Sequence, residues 1–348
     1  MLTRTVDFRY IVVRNGADFS ELQPIRNGEP LIYMDESAEI KMSLSGDFAQ
    51  NDAVNWLTDQ IRPELEIDGV RKSLGVFLPA TVTPMSDEST RSVHVEAYDR
   101  CWLVRDNYTE TILHFAAGAK YTTIVKQLLT LSGVVAMIVT PSSAVLAEAR
   151  EDWSIGTSLL TIVNDLLAEI NYNPLWFDAS GAAVVEPASV PTAENIDHTL
   201  DNSEVKSMLL PQLRREADIY SAPNVFRCVV SNADKSAAMV ATAENNNLQS
   251  PLSIARRGRR IVKVVNVDNI ASQAELQAYA DRLRNESLFT GETITVKTAL
   301  LPDYGVADVV ALHYDDVAAI CIDRAWTMEL RVGGSMTHTL ERVVIALD

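Results

Sequence analysis

The sequence predicts an α+β protein that is mainly β, with two β-rich regions bracketing a small α/β unit. Three observations carry this reading. Residues 1–100 hold several short strand-like runs and no long helical stripe. Residues 101–195 contain two stretches whose apolar residues recur at helical spacing. Residues 196–348 then return to β-branched, alternating runs.

In the first region, Val6 to Val13 begins as an alternating strand and turns apolar, and Asn15-Gly16 punctuates it. Ala38 to Leu44 alternates with Ile40, Met42 and Leu44 on one face, which predicts a strand. Gly75 to Val82 and Ser92 to Ala97 read as two more, separated by a polar loop over Pro84 to Thr90. Many short strands without a long helix predict a sandwich or barrel.

The middle region differs. Tyr121 to Ser132 reads as a helix with Ile124, Val125, Leu128 and Leu131 on one face and Gly133 as its stop. A second helix is expected from about Thr157 to Ile170, striped by Leu159, Val163, Leu166, Leu167 and Ile170 and ending at Asn171. Leu175 to Val185 predicts a hairpin turning at Asp178-Ala179-Ser180-Gly181. Glu186 to Thr192, with two prolines, reads as the linker out of this unit.

In the last region, Val225 to Val230 and Met239 to Thr242 flank a polar turn at Asn232-Ala233-Asp234-Lys235, and Arg260 to Val267 is another strand. Ser272 is placed to cap a helix with Glu275 three residues on, a capping box, and Leu276, Tyr279, Ala280 and Leu283 form its apolar face. Thr293 to Thr298 and Val306 to Leu312 follow as strands around Pro302-Asp303-Tyr304-Gly305, and the stretch from Ser272 to Tyr314 reads as one rigid docking element. Trp326 to Val332, Gly333-Gly334-Ser335 and Met336 to Ala346 predict a terminal hairpin.

Composition bounds the function. The 348 residues are 47% hydrophobic and 22% charged, enough for two or three ordinary cores. No apolar run approaches the roughly 20 residues that span a membrane, and the N-terminus lacks an apolar signal core, so folding in a cytoplasm is expected. Cys101, Cys228 and Cys321 are widely spaced, without C-x-x-C, and read as buried free thiols. The net charge is −17, of which residues 1–195 carry −13 and residues 196–348 carry −4. Such a chain will not hold nucleic acid by phosphate neutralisation. The acidity suits either plain solubility or a wall that DNA passes without sticking.

No chemistry surfaces. There is no G-x-S-x-G, no H-E-x-x-H, no Walker loop and no G-x-G-x-x-G. His94, His114, His198, His313 and His338 are scattered, and the acidic pairs Asp35-Glu36, Asp87-Glu88, Glu151-Asp152 and Asp315-Asp316 fall at expected turns or caps. No catalytic, metal or cofactor residue is assigned. One cluster stands out, Arg256, Arg257, Arg259 and Arg260 around Gly258. It reads either as a solvated turn or as an inter-subunit contact against acidic surface elsewhere, with direct DNA binding a minor alternative.

Five segments together carry a resemblance: Ile61 to Gly69 followed by Ser73 to Phe77; Ser92 to Arg100, ending in Tyr98-Asp99; Asp152 to Ser158 leading through a helix to Asn173-Pro174-Leu175-Trp176-Phe177-Asp178; Asp218 to Val225; and Ser272 to Tyr314. In order and spacing the chain resembles phage baseplate and tail hub proteins, the late control protein D group, over roughly residues 60–345. Where the family often has Pro-Gly-Asp, this chain reads Val306-Ala307-Asp308.

The resemblance implies two tail-tube-like β-barrel domains, 1–100 and 196–348, with 101–195 as an inserted α/β domain. It implies a homotrimer whose six barrels form a pseudo-sixfold ring in the virion, assembled in the host cytoplasm. That ring joins the tail tube or distal tail protein to a spike, fibre or tail-tip protein, meets the tape measure protein, and passes DNA through its lumen without specific binding. No enzymatic role is implied, and because the chain stops at Asp348 soon after its last strand, a cell-wall hydrolase would lie on another polypeptide. The alternatives are the hub of a contractile injection or secretion apparatus, a cell-wall hydrolase, and a carbohydrate- or receptor-binding module.

Overall fold

The structure is a computed structural model. It describes residues 5–25, 29–86, 91–188, 191–204, 207–217, 222–230, 239–267, 270, 272–287 and 292–343. Asp87-Glu88, the 232–235 turn, Asp218 to Ser221 and the end of the terminal hairpin lie outside them.

Eight strands build the first β region: β1 (Val6–Arg14), β2 (Ala17–Leu22), β3 (Leu31–Asp35), β4 (Met42–Ala49), β5 (Gln60–Ile67), β6 (Val70–Ser73), β7 (Phe77–Ser86) and β8 (Arg91–Asp99). The β1–β2 hairpin turns at Asn15-Gly16, both at positive φ (52° and 78°), the mirror-image turn whose twist matches the strands. Antiparallel pairing runs β4-β8-β7-β5-β1-β2. Past β2, the Gln23 carbonyl accepts from Ala49 N at 2.8 Å and Ile25 N donates to Asp47 O at 3.1 Å, which brings the path back to β4. The strand expected from Ala38 begins only at Met42. Lys41 is buried there instead, its ammonium donating to the carbonyls of Glu36 and Ala38 at 2.6 and 2.7 Å and closing the turn after β3.

The middle region has α1 (Cys101–Arg105), α2 (Tyr121–Leu131), β9 (Met137–Val139), α3 (Leu159–Glu169), β10 (Trp176–Phe177) and β11 (Ala183–Val185). Gly133 at φ 78° stops α2, and the Ser158 hydroxyl caps α3 by accepting from Leu160 N. The expected hairpin is present, with β9 added in parallel to β11. These elements share their own apolar core, from Cys101 to Val185.

The last region adds β12 (His198–Asp201), β13 (Leu209–Ala217), β14 (Val225–Val230), β15 (Met239–Glu244), α4 (Ile254–Arg257), β16 (Val262–Val267), α5 (Gln273–Glu286), β17 (Glu292–Ala299), β18 (Val309–Tyr314), β19 (Val317–Glu329) and β20 (Ser335–Val343). It is divided. β15-β14-β16 is a separate three-stranded sheet, and α5 covers one face of it through Leu276 and Ala280 against Cys228, Val230, Ala241 and Ala243. The Ser272–Tyr314 stretch is therefore not one element: its helix serves this small sheet while its strands serve another. Ser272 does cap α5, accepting from Glu275 N at 3.2 Å. The Glu275 carboxylate turns to the middle region and accepts from Asn171 Nδ2 at 2.7 Å.

The remaining strands pair in the order β12-β18-β19-β20-β17-β13, and Gln212 N on β13 donates to the Tyr314 hydroxyl on β18. β19 joins the two β regions. Its first half pairs with β18; past a bulge between Asp323 and Ala325 its second half pairs with β3. One fourteen-stranded sheet results, and a single core from Tyr10 to Leu340 runs through both regions.

Candidate functional surface

Because side chains alternate along a strand and directly paired residues share a face, the registers assign every residue of the joined sheet to one side. One side is the core: Leu44, Ile32, Met328 and Met336 form a row from β4 to β20. The row beside it faces away. It runs Leu78, Tyr98, Ser43, Tyr33, Thr327, Thr337 and Lys297, across β7, β8, β4, β3, β19, β20 and β17. The next rows on the same side contain Thr81, Glu96, Ser45, Leu31 and Glu329, and Asp35, Ala325, Thr339, Thr295 and Arg214. The result is a solvent-reached face dense in short hydroxyl side chains that spans both β regions without interruption.

Its charge is acidic but damped. Asp35, Asp47, Glu96, Glu216, Glu329 and Glu341 share it with Lys297 and Arg214. Several are held locally: Asp47 Oδ1 lies 2.5 Å from His94 Nδ1, Glu329 accepts from Arg331 at 2.9 Å, and Glu341 accepts from Arg324 at 2.6 Å. Asp35 accepts from the Ser37 hydroxyl and N–H, which, against its burial, keep its carboxyl below the usual range. Arg324 also pairs with Glu36, so one guanidinium ties the end of β3 to β20; burial opposes its charge, but the two carboxylates raise its pKa.

Beneath this face lies a buried polar cluster. His338 and Asp323, both fully buried, meet at 2.6 Å, and His338 Nε2 lies 2.9 Å from the Thr298 hydroxyl oxygen. Tyr304 stacks on His198 at 3.8 Å and leans on His338 at 4.7 Å, while His198 Nε2 lies 2.9 Å from Asp308. Burial pushes the Asp323 carboxyl up to about 6 despite its histidine partner. The turn Pro302–Gly305 anchors the cluster: Trp326 Nε1 donates to Gly305 O, and Asp303 pairs with Lys72 of the first region. His94, His313 and His338 do lie in strands, and the three cysteines are buried and free.

The arginine cluster sits around α4. Arg256, Arg259 and Arg260 are exposed; Arg256 Nε donates to Leu248 O, and Arg260 pairs with Glu244 at 2.6 Å. The Arg257 guanidinium donates to Ala222 O. The cluster is thus well away in the chain from the hydroxyl face, beside the small three-stranded sheet. The hydroxyl face itself escaped sequence reading; the signal was the alternating Ser43 and Ser45 of β4, Thr293 and Thr295 of β17 and Ser335, Thr337 and Thr339 of β20, which gains meaning only once the registers align it. Among the described residues no group of His, Cys, Asp and Glu could hold a metal ion, and no helix is long and apolar enough to cross a membrane.

This architecture, two β regions fused through one sheet with an α/β insertion between them, is the fold of phage tail proteins. The chain superposes on the tail protein from Neisseria meningitidis MC58 with a TM-score of 0.68 at 12% identity, covering 96% of each chain. It superposes on the 43 kDa tail protein of prophage MuSo2 from Shewanella oneidensis with a TM-score of 0.67 at 12% identity, covering 98% of this chain and 100% of that one. A component of the Escherichia coli type VI secretion system, described as similar to the T4 tail proteins gp27 and gp5, shares the fold at a TM-score of 0.52 and 11% identity, over 96% of this chain and 77% of that one. No family model matches the sequence, and no curated protein matches it.

Proposed function

We propose that the chain is the structural hub of a phage tail tip or baseplate. Regions 1–100 and 196–348 act as tube-like barrels and 101–195 as an inserted domain. Three copies place six barrels in a pseudo-sixfold ring, located in the virion, between the tail tube or distal tail protein and a spike, fibre or tail-tip protein. The ring meets the tape measure protein and passes DNA through its lumen without specific binding. The role is structural.

The observation that carries this reading is the continuous outer face of the joined sheet, where Ser and Thr hydroxyls stand among carboxylates and few cations. Hydroxyls keep their water and offer a polyanion neither the cation pairing that would hold phosphate nor an apolar surface to stall on. The net carboxylate excess adds weak repulsion, damped within a Debye length of about 8 Å at physiological salt. Closing copies into a ring also removes free sheet edges.

Two lysines on this face test the reading. Thr327→Lys with Thr337→Lys, adjacent across β19 and β20, is expected to leave particles of normal composition that release DNA at least about tenfold more slowly, more so at low salt. The control is Leu57→Lys, at a side chain 94% exposed in a loop of the first region. Equal release from both variants would overturn the assignment of the face.

A second reading, the hub of a contractile injection or secretion apparatus, is supported by the likeness to the type VI component. Neighbouring genes separate the two: capsid and terminase genes mark a phage, effector and ATPase genes a secretion device.

A further inference from the structure

Among the described residues, the small sheet β15-β14-β16 is covered by a helix on one face only. α5 takes the face bearing Cys228, Val230, Ala241 and Val265. The opposite face carries Val240, Val262 and Val264, which are 39%, 51% and 58% exposed. β16 runs parallel to β14 and is an edge strand, reading Val-Lys-Val-Val-Asn-Val. Parallel pairs with such near-continuous apolar sequence are normally covered on both faces. In the middle of this bare apolar face stands Arg227, exposed and paired directly with Val264 and Thr242 across the ladders. Arg227 makes no ion pair among the described residues. Exposed Arg256 and Arg260 lie just before β16. An apolar patch with an unpaired guanidinium at its centre suits a partner bringing apolar side chains and a carboxylate.

The same chain carries a patch of that chemistry. Thr109 N donates to Thr157 O at 2.9 Å and Gly156 N to Thr109 O at 2.8 Å, fixing loop 106–110 against loop 154–157. Asn107 Nδ2 donates to Leu131 O, which adds the end of α2. The surface so assembled exposes Tyr108, Leu131 and Ile155 at 52%, 67% and 62%, beside exposed Asp106 and Glu110. It belongs to residues 1–195, the strongly acidic part of the sequence.

We infer that the bare face of the β15-β14-β16 sheet docks a second copy of this chain, through the neighbour's Tyr108–Ile155 patch, with Arg227 facing the carboxylates of Asp106 and Glu110. The two surfaces are different, so the contact is head-to-tail, the kind that closes a ring. Three strands of six residues cover roughly 300 Å². That is well under the roughly 800 Å² per partner of a standard interface, so the contact is weak alone and acts as a brace between copies already held in a ring. In taking a second copy as the neighbour, the inference rests on the hub reading.

The test is sedimentation velocity over a concentration series. Wild type is expected to associate, more weakly at 0.5 M salt than at 0.05 M. Val264→Glu and Arg227→Glu are each expected to weaken association about tenfold or more, as is Glu110→Arg. Arg227→Glu combined with Glu110→Arg is expected to recover association to within about threefold of wild type. Circular dichroism of each variant checks that it is folded, and the charge swap keeps the test valid should Val264→Glu unfold the small sheet. Wild-type association by all variants, or no recovery in the swap, overturns the docking while leaving the hub reading intact. A wild type that stays monomeric at every concentration also overturns it, and the hub reading is then judged separately by co-assembly with tail tubes.

Discussion

Ile32 is the sharpest place to perturb the join between the two β regions. It is fully buried on β3, paired with Leu44 of β4 on one side and Met328 of β19 on the other, so its side chain packs in the core that both regions share. Ile32→Ala removes three carbons, worth about 2.4 kcal/mol at about 0.8 kcal/mol per buried methylene. The cavity left between two fixed strands adds to that, for a total of about 3–4 kcal/mol. Because one core runs through both regions, the loss falls on both. The assay is native-state hydrogen exchange read by mass spectrometry on peptides from β4 and β8 and from β17 and β20, with urea unfolding for the total. Protection is expected to fall together in all four strands. If β4 and β8 lose protection while β17 and β20 keep theirs, the two regions are independent domains that merely touch, and the argument from a single sheet fails.

Three further outcomes follow from the same structure. Burial raises Asp99 and Asp323 to about 6, above the unfolded value near 4, so the folded chain binds more protons between those pH values. Stability from these groups is therefore lost as pH rises through 6; thermal unfolding should show a higher Tm at pH 5 than at pH 7.5, and Asp323→Asn should flatten that slope, whereas an unchanged slope would refute the assignment. Ala307 holds φ 60°, a left-handed conformation costing a Cβ-bearing residue about 1 kcal/mol. Ala307→Gly should be neutral to stabilising by up to about 1 kcal/mol and Ala307→Val destabilising by at least that much; a glycine variant that melts distinctly lower would show the turn is not strained. Arg324→Ala frees Glu36 and Glu341 together and should cost about 1–2 kcal/mol, seen as faster exchange at the end of β3; no change would mean that backbone pairing alone holds that end.

What the sequence revealed depended on how local the physics was. The Asn15-Gly16 turn, the Ser272 cap, the Gly133 stop and the alternation of β17 are set by neighbours within a few residues, and they stand where the sequence puts them. β3 was not legible: Leu31 to Asp35 is short and nearly all apolar, and its partner β19 lies almost three hundred residues away. The α5 stripe announced a buried face without saying which sheet it covers. Lys41 misled because its charged end is buried yet satisfied by two carbonyls, so a residue that reads as the outward half of a strand is part of a turn. The Val306-Ala307-Asp308 departure from the family pattern proved physical, since Ala307 occupies the backbone conformation that glycine fills most easily. The hydroxyl face needed registers across seven strands, information no single segment contains.

The central claim is that this face lines a passage. Electron cryomicroscopy of the assembled tail tip tests it most directly. Three copies of this chain are expected in a closed ring, with Ser43, Thr327 and Thr337 pointing into the central channel. A ring in which those residues point outward or lie in contacts with other proteins, or a tail tip without a ring of this chain, would contradict it.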